Sequence, residues 1–342
     1  MHFFHSVCHL GYLIARSQYK TITKLYILSN HDIIISIVPA KPLNNAQISR
    51  SFNLNEEILE EIKYNKPALC VEKQIELLKS RGLIINDEDF AQDILSNITY
   101  YRLSSYMKFF QNSDKFKPDT TFEDIVYLYN FDKELKSLIF ENIRLVEISL
   151  RAKICLHMCS NYGSHWFYDV GCFKMEEDYK KTLNILENEK GLKKDTFISY
   201  YFKKYSEPEL PPFWMMSEVL SMGDLSKILS GINFKDVKVI AGSMTEKYYI
   251  APVLTNWIHV LATVRNICAH HSRLWNRQLK IKFAEPQKIP EWKNKNIIND
   301  KVCAVCFVLA LLLENHPCSN FEAELKKLFN CYDRIDLIKM GF

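Results

Sequence analysis

Apolar residues recur along most of this chain at intervals of three and four, the period of an amphipathic helix. The clearest run is Leu135, Ile139, Ile143, Val146, Leu150 and Ile154, which step by 4, 4, 3, 4 and 4. It predicts a long helix with one buried stripe, capped by Thr120 or Thr121 and carrying Glu123 and Asp124 in its first turn. The helical pattern runs to Tyr162-Gly163, with a break near Asn130. Upstream, CVEKQIELLKSRG predicts a helix stopped by Gly82 in the C′ position, with Lys79 and Arg81 in its last turn. DEDFAQDILSNI predicts another, YYRLSSYMKFF follows it, and the polar stretch QNSDKFKPDTT reads as a loop. Further helices are expected at 174–188, 214–230, 252–270, 299–315 and 321–338. Pro252 suits a first helical turn, and SEPELPPF at 206–213 is a connector because prolines cannot continue a helix.

Residues 1–65 follow a different pattern. KLYILSNHDIIISIVPAKP carries β-branched, strand-like runs and SFNLNEEILEEIKYN a helical one. This segment reads as an extension of uncertain fold, either a small appendage or translated sequence upstream of the true start. The main domain is then 66–342.

Composition agrees with an all-α main domain: 9 glycines in 342 residues supply too few turns for a sandwich or barrel. The net charge of +4 tolerates a nucleic-acid partner without demanding one. Basic residues concentrate between Arg273 and Lys301, eight Lys/Arg against three Asp/Glu, a local +5. The ten cysteines form no dense framework and read as reduced thiols. Cys303 and Cys306 lie in the apolar run VCAVCFVLALLLEN and read as core residues rather than metal ligands. That run is too short to span a bilayer, and the N-terminus lacks a basic n-region. The expected location is the cytoplasm, with no membrane partner.

The candidate chemistry lies in RNICAHHSRLWNR, residues 265–277. Arg265 and His270 form an R-x4-H pair. A guanidinium holds phosphate by two parallel hydrogen bonds, and a histidine with an ordinary pKa of about 6.5 moves protons near neutrality. On a helix the two differ by about 140° in azimuth and about 7.5 Å along the axis. Asn266 lies one turn before His270 and is placed to orient its imidazole. Such a pair suits phosphodiester cleavage in RNA, where the 2′-OH supplies the nucleophile. Alone, the spacing is weak evidence, and a helix-capping histidine near an arginine is the better reading of it.

Longer strings carry a resemblance. R-N-x-C-A-H-H-x-R-L-W-N resembles the signature of the Abi-like family of abortive-infection proteins, within the HEPN superfamily of helical ribonucleases. KQIELLKSRGLII, NITYYRLSSYMKFF, YNFDKELKSLIFENIRLVEISLRAKI and FWMMSEVLSMGDLSKI are similar to other segments of that family, and KMGF to the start of its closing element. Ser105 stands where a glycine is usual, and Met222 where an aromatic often precedes the glycine. The resemblance covers residues 70 to 342.

It implies a HEPN-type helical bundle with extra helices and a homodimer whose two R-x4-H pairs face each other. It also implies metal-independent RNA cleavage, without a cofactor, by a toxin-type phage-defence protein. Arg265, His270 and Asn266 would be catalytic, and the partner would be RNA, with a small structured non-coding RNA as a possible antitoxin. His271, Arg273, Trp275, Asn276 and Arg277 are RNA-binding candidates, and Trp275 is equally a core anchor. Arg151 and Arg102 are further candidates, each with a structural alternative; Arg151 and His157 could form a second pair. His259, on the apolar helix, reads as a satisfied core histidine. A non-catalytic RNA-binding module and a purely structural dimer are the competing functions.

Overall fold

The computed structural model describes residues 21–27, 33–39, 67–189, 196–245 and 250–342. The chain divides into two units, Met1–Leu69 and Cys70–Phe342. In the first, β1 (Thr21–Ile27) pairs antiparallel with β2 (Ile33–Pro39), Thr21 opposite Pro39 and Ile27 opposite Ile33. The helix expected from SFNLNEEILEEIKYN lies outside the described residues.

Among its described residues the second unit is all-α apart from one minimal hairpin and two isolated β-bridges. It opens with α1 (Val71–Ser80), α2 (Glu88–Asn97) and α3 (Tyr100–Met107). The expected loop 111–121 contains that hairpin, β3 (Gln111–Asn112) against β4 (Lys115–Phe116), turned by Ser113 in the left-handed region at φ 56°.

Next comes α4 (Phe122–Tyr162), 41 residues without interruption. No glycine or proline occurs in it, so nothing forces the expected break near Asn130, and Phe131 is packed at the core. Thr121 starts it with a capping box: its hydroxyl accepts from the Asp124 N–H while the Asp124 carboxylate takes the Thr121 N–H. Gly163, at φ 86°, follows its end. The stripe read from the sequence is fully buried from Leu135 to Ile154.

Around this spine run α5 (Glu176–Glu189), α6 (Thr196–Lys204), α7 (Phe213–Val219), α8 (Met222–Gly231), α9 (Phe234–Thr245) and α10 (Ala251–Ala269). α11 (Pro290–Asn294), α12 (Val302–Leu313) and α13 (Phe321–Cys331) complete the set. The single helix expected at 214–230 is two, because Ser221 accepts from the Asp224 N–H and caps a new start. Helices α6, α9 and α11 were not legible as periodic runs, and α13 stops at Cys331, short of the 338 expected. α3, α7, α9, α10, α12 and α13 all pack on α4. Among the described residues, no helix is long and apolar enough to cross a membrane.

Candidate functional site

The R-x4-H pair sits at the C-terminal end of α10. Val253, Leu254, Trp257, Ile258, Leu261 and Val264 bury most of this helix against the core. One stripe stays open: His259, Thr263, Asn266 and His270, spaced by 4, 3 and 4. Thr263 is half-buried and the other three are exposed, so the core reading of His259 is corrected. Its position is in phase with the polar face of α10, 180° from the residues that pack.

The helix ends in a Schellman motif. The N–H groups of His271 and Ser272 bond the carbonyls of Cys268 and Ile267, both at 3.0 Å. His270 is the C-cap residue, and His271 adopts the left-handed conformation at φ 54°. α1 ends the same way, with Gly82 at φ 89° and with Leu83 bonding the Leu78 carbonyl. At α10 the left-handed residue keeps a Cβ, a conformation that costs about 1–2 kcal/mol. Both histidines consequently project from a fixed, exposed helix end.

Arg265 is half-buried beside that end. Its guanidinium lies 5.8 Å from the Phe140 ring centre on α4 and donates to the Asn266 side-chain oxygen at 3.4 Å. Asn266 therefore serves the arginine; among the described residues no side-chain hydrogen bond joins it to His270.

The turn after the helix is held from beneath by Asp132, a residue the sequence reading passed over. Asp132 is fully buried on α4 and accepts from the Leu274 N–H at 3.1 Å and the Trp275 N–H at 2.5 Å. It also accepts from the Tyr106 hydroxyl at 2.6 Å and pairs with buried Lys136 at 3.1 Å. Burial, then the adjacent carboxylate, push the Tyr106 pKa far up, so its hydroxyl remains a donor. A signal existed: an acid and a base, four apart, in phase with the apolar stripe of α4.

Most of the residues that follow are committed to this turn. Trp275 is buried, edge-on to Phe109 with ring centres 4.5 Å apart, so the core-anchor reading replaces base stacking. Arg273 lies over the same Phe109 ring at 4.8 Å and donates to the Trp275 carbonyl. Arg277 donates to the Arg273 carbonyl at 2.9 Å. Asn276, left-handed at φ 49°, accepts from Lys301 at 3.2 Å. Arg102, on α3, donates to the His271 carbonyl at 2.8 Å and so braces the helix end from outside.

The second candidate pair dissolves. Arg151 donates to Glu147 and the Leu220 carbonyl, each at 3.1 Å, and to the Glu218 carbonyl at 3.3 Å. It ties α4 to the α7–α8 junction and is not free to grip RNA. His157 bonds buried Asp236 at 2.8 Å, which also accepts from the Tyr162 hydroxyl at 2.9 Å. Cys268, inside the motif, is buried, and burial pushes its thiol up to about 12, which leaves it inert as a nucleophile. Among the described residues, no cluster of three or more His, Cys, Asp or Glu is gathered as a metal site.

The profile of the Abi-like protein family matches residues 93–276, a span from α2 through the site turn. Neither the curated proteins nor the solved structures contain a match.

Proposed function

The chain belongs to the Abi-like protein family, and from that premise we propose that it is an abortive-infection protein that cuts RNA at Arg265 and His270. His270 moves the proton of the ribose 2′-OH or of the leaving oxygen, a contribution of about 10²- to 10⁴-fold. Arg265 stabilises the charge that accumulates on phosphorus in the transition state. Asn266, bonded to the guanidinium, orients Arg265 rather than the imidazole. The 2′-OH as nucleophile lets these side chains act without a metal ion. The reading expects two copies of the site to face each other in a homodimer, with a 2′,3′-cyclic phosphate and a 5′-hydroxyl as the products. A small structured RNA is the expected restraining partner, and the cytoplasm the expected compartment.

The observation that supports this reading most is the exposure of His270 at a braced helix end. Arg102, Asp132 and the left-handed His271 together fix where that end points. A helix that merely needed termination would not require an exposed imidazole beside a half-buried arginine. Growth and RNA integrity during expression test the proposal. The wild type arrests growth and degrades RNA, while Arg265→Ala and His270→Ala, still folded, do neither. Continued RNA decay in both variants would refute the site. Purified wild type that binds RNA and never cuts it would favour the non-catalytic module. Cleavage that requires added Mg²⁺ would refute the metal-independent mechanism.

A further inference from the structure

Burial of Trp275 leaves the site without the aromatic surface that an unpaired base would stack on. A different aromatic lies on α3, the helix whose Arg102 braces the site. Tyr101 on α3 is 88% exposed, and among the described residues its side chain has no hydrogen-bond or ring partner. Its neighbour Arg102 donates to the His271 carbonyl at 2.8 Å. Tyr101 and His270 are thus each one residue from the two ends of a single hydrogen bond.

α3 is fixed in that place. Leu103, Tyr106 and Met107 bury its inner face against α4, Thr99 caps its start, and Tyr106 bonds Asp132. The outer face carries Tyr101 and half-buried Ser105, and exposed Lys108, the C-cap residue just past Met107, continues the line, spaced by 4 and 3. Tyr101 and Lys108 share an azimuth to within about 20° and lie about 10.5 Å apart along the helix. Lys108 has no ion-pair partner among the described residues. An exposed ring in line with an unpaired cation, on a rigid helix, is the combination that holds single-stranded nucleic acid.

We propose that the outer face of α3 is one wall of the RNA site, with Tyr101 stacking an unpaired base next to the scissile phosphate and Lys108 gripping a neighbouring phosphate. The inference rests on the RNA reading of Arg265 and His270, and it adds the surface that holds the strand. It also accounts for an exposed tyrosine that nothing in the fold requires: truncating a ring this exposed removes almost no packing.

The test is binding of a fluorescent single-stranded RNA whose riboses are 2′-O-methylated, so that it cannot be cut. Tyr101→Ala should weaken binding by about 5- to 150-fold, the span of one base stack. Tyr101→Phe should bind as the wild type does, because stacking needs the ring and not the hydroxyl. Lys108→Ala should lower the slope of log affinity against log salt by about 0.7. Unchanged thermal melting and light scattering exclude misfolding and altered assembly.

If Tyr101→Ala binds RNA as the wild type does, the wall is refuted, whatever the cleavage assay shows. The wall is likewise refuted if Tyr101→Ala changes only the oligomeric state. Wild type that binds through Tyr101 but never cuts unmodified RNA upholds the wall and sinks the ribonuclease reading. Wild type that binds no RNA sinks both.

Discussion

Asp132 is the buried charge on which the site turn depends, and replacing it should be the most disruptive single change near the motif. It accepts four hydrogen bonds or ion-pair contacts, from Tyr106, Leu274, Trp275 and Lys136, with no solvent access. In Asp132→Asn one carbonyl oxygen can still serve the two backbone amides. Lys136, itself buried, is left without a counter-charge, and breaking such a pair costs about 3–5 kcal/mol. Asp132→Ala also orphans the two amides, at about 1–3 kcal/mol each, so the sum approaches the whole stability of a typical domain. Asp132→Asn is therefore the variant to measure, by urea unfolding with linear extrapolation. Adding Lys136→Met removes the stranded ammonium and should recover about 2 kcal/mol of the loss. The reasoning fails if Asp132→Asn loses less than about 1 kcal/mol, or if the double variant recovers nothing relative to the single one.

Two further outcomes follow from the same structure. His271→Gly relieves the left-handed Cβ at about 1–2 kcal/mol and adds about 0.5–1 kcal/mol of chain entropy, so a net gain of about 0.5–1 kcal/mol is expected. It should read out as a higher urea midpoint with an unchanged slope, and a lower midpoint would count against the Schellman assignment. A hydrogen bond from Gln278, reinforced by Lys282, holds the Asp300 carboxyl below the usual carboxylate range. A depressed folded value means that its stabilisation is present above the unfolded pKa of about 3.9 and disappears as pH falls through the folded one. The melting-temperature gap between wild type and Asp300→Asn should accordingly close on acidification below about pH 4, and a gap constant from neutral to strongly acid pH would contradict it.

Periodicity made the spine legible. The α4 stripe, the Thr121 cap and the Gly82 stop are local signals, written within one or two turns of the residues they control. The same signals failed where context decides. Asn130 looked like a break because a polar residue interrupts the pattern, yet an uninterrupted backbone and a buried Phe131 carry the helix through it. Ser221 divided one expected helix into two through a cap whose partner is only three residues away. At the site, the motif residues were found by their spacing and by resemblance, but what they touch was not. Arg102, Arg273 and Arg277 are basic in composition and structural in use, each aimed at a backbone carbonyl of the turn. Which arginine meets a carbonyl and which meets solvent depends on contacts across 169 residues, as between Arg102 and His271. Asp132 is the converse case: its phase on the helix announced burial, and the fold supplied the donors.

One unbroken helix carries Asp132, which holds the site turn, Phe140, which underlies Arg265, and Arg151, which grips the α7–α8 junction. Asp132 and Arg151 lie about 28 Å apart along its axis, at 1.5 Å per residue. With no hinge between them, any tilt of the helix at one end is carried undiminished to the other. A tilt of about 5° pivoted at the α7–α8 end would swing the site end by about 2.5 Å, close to the length of a hydrogen bond. α4 is in this sense a lever, and the junction gripped by Arg151 is its fulcrum.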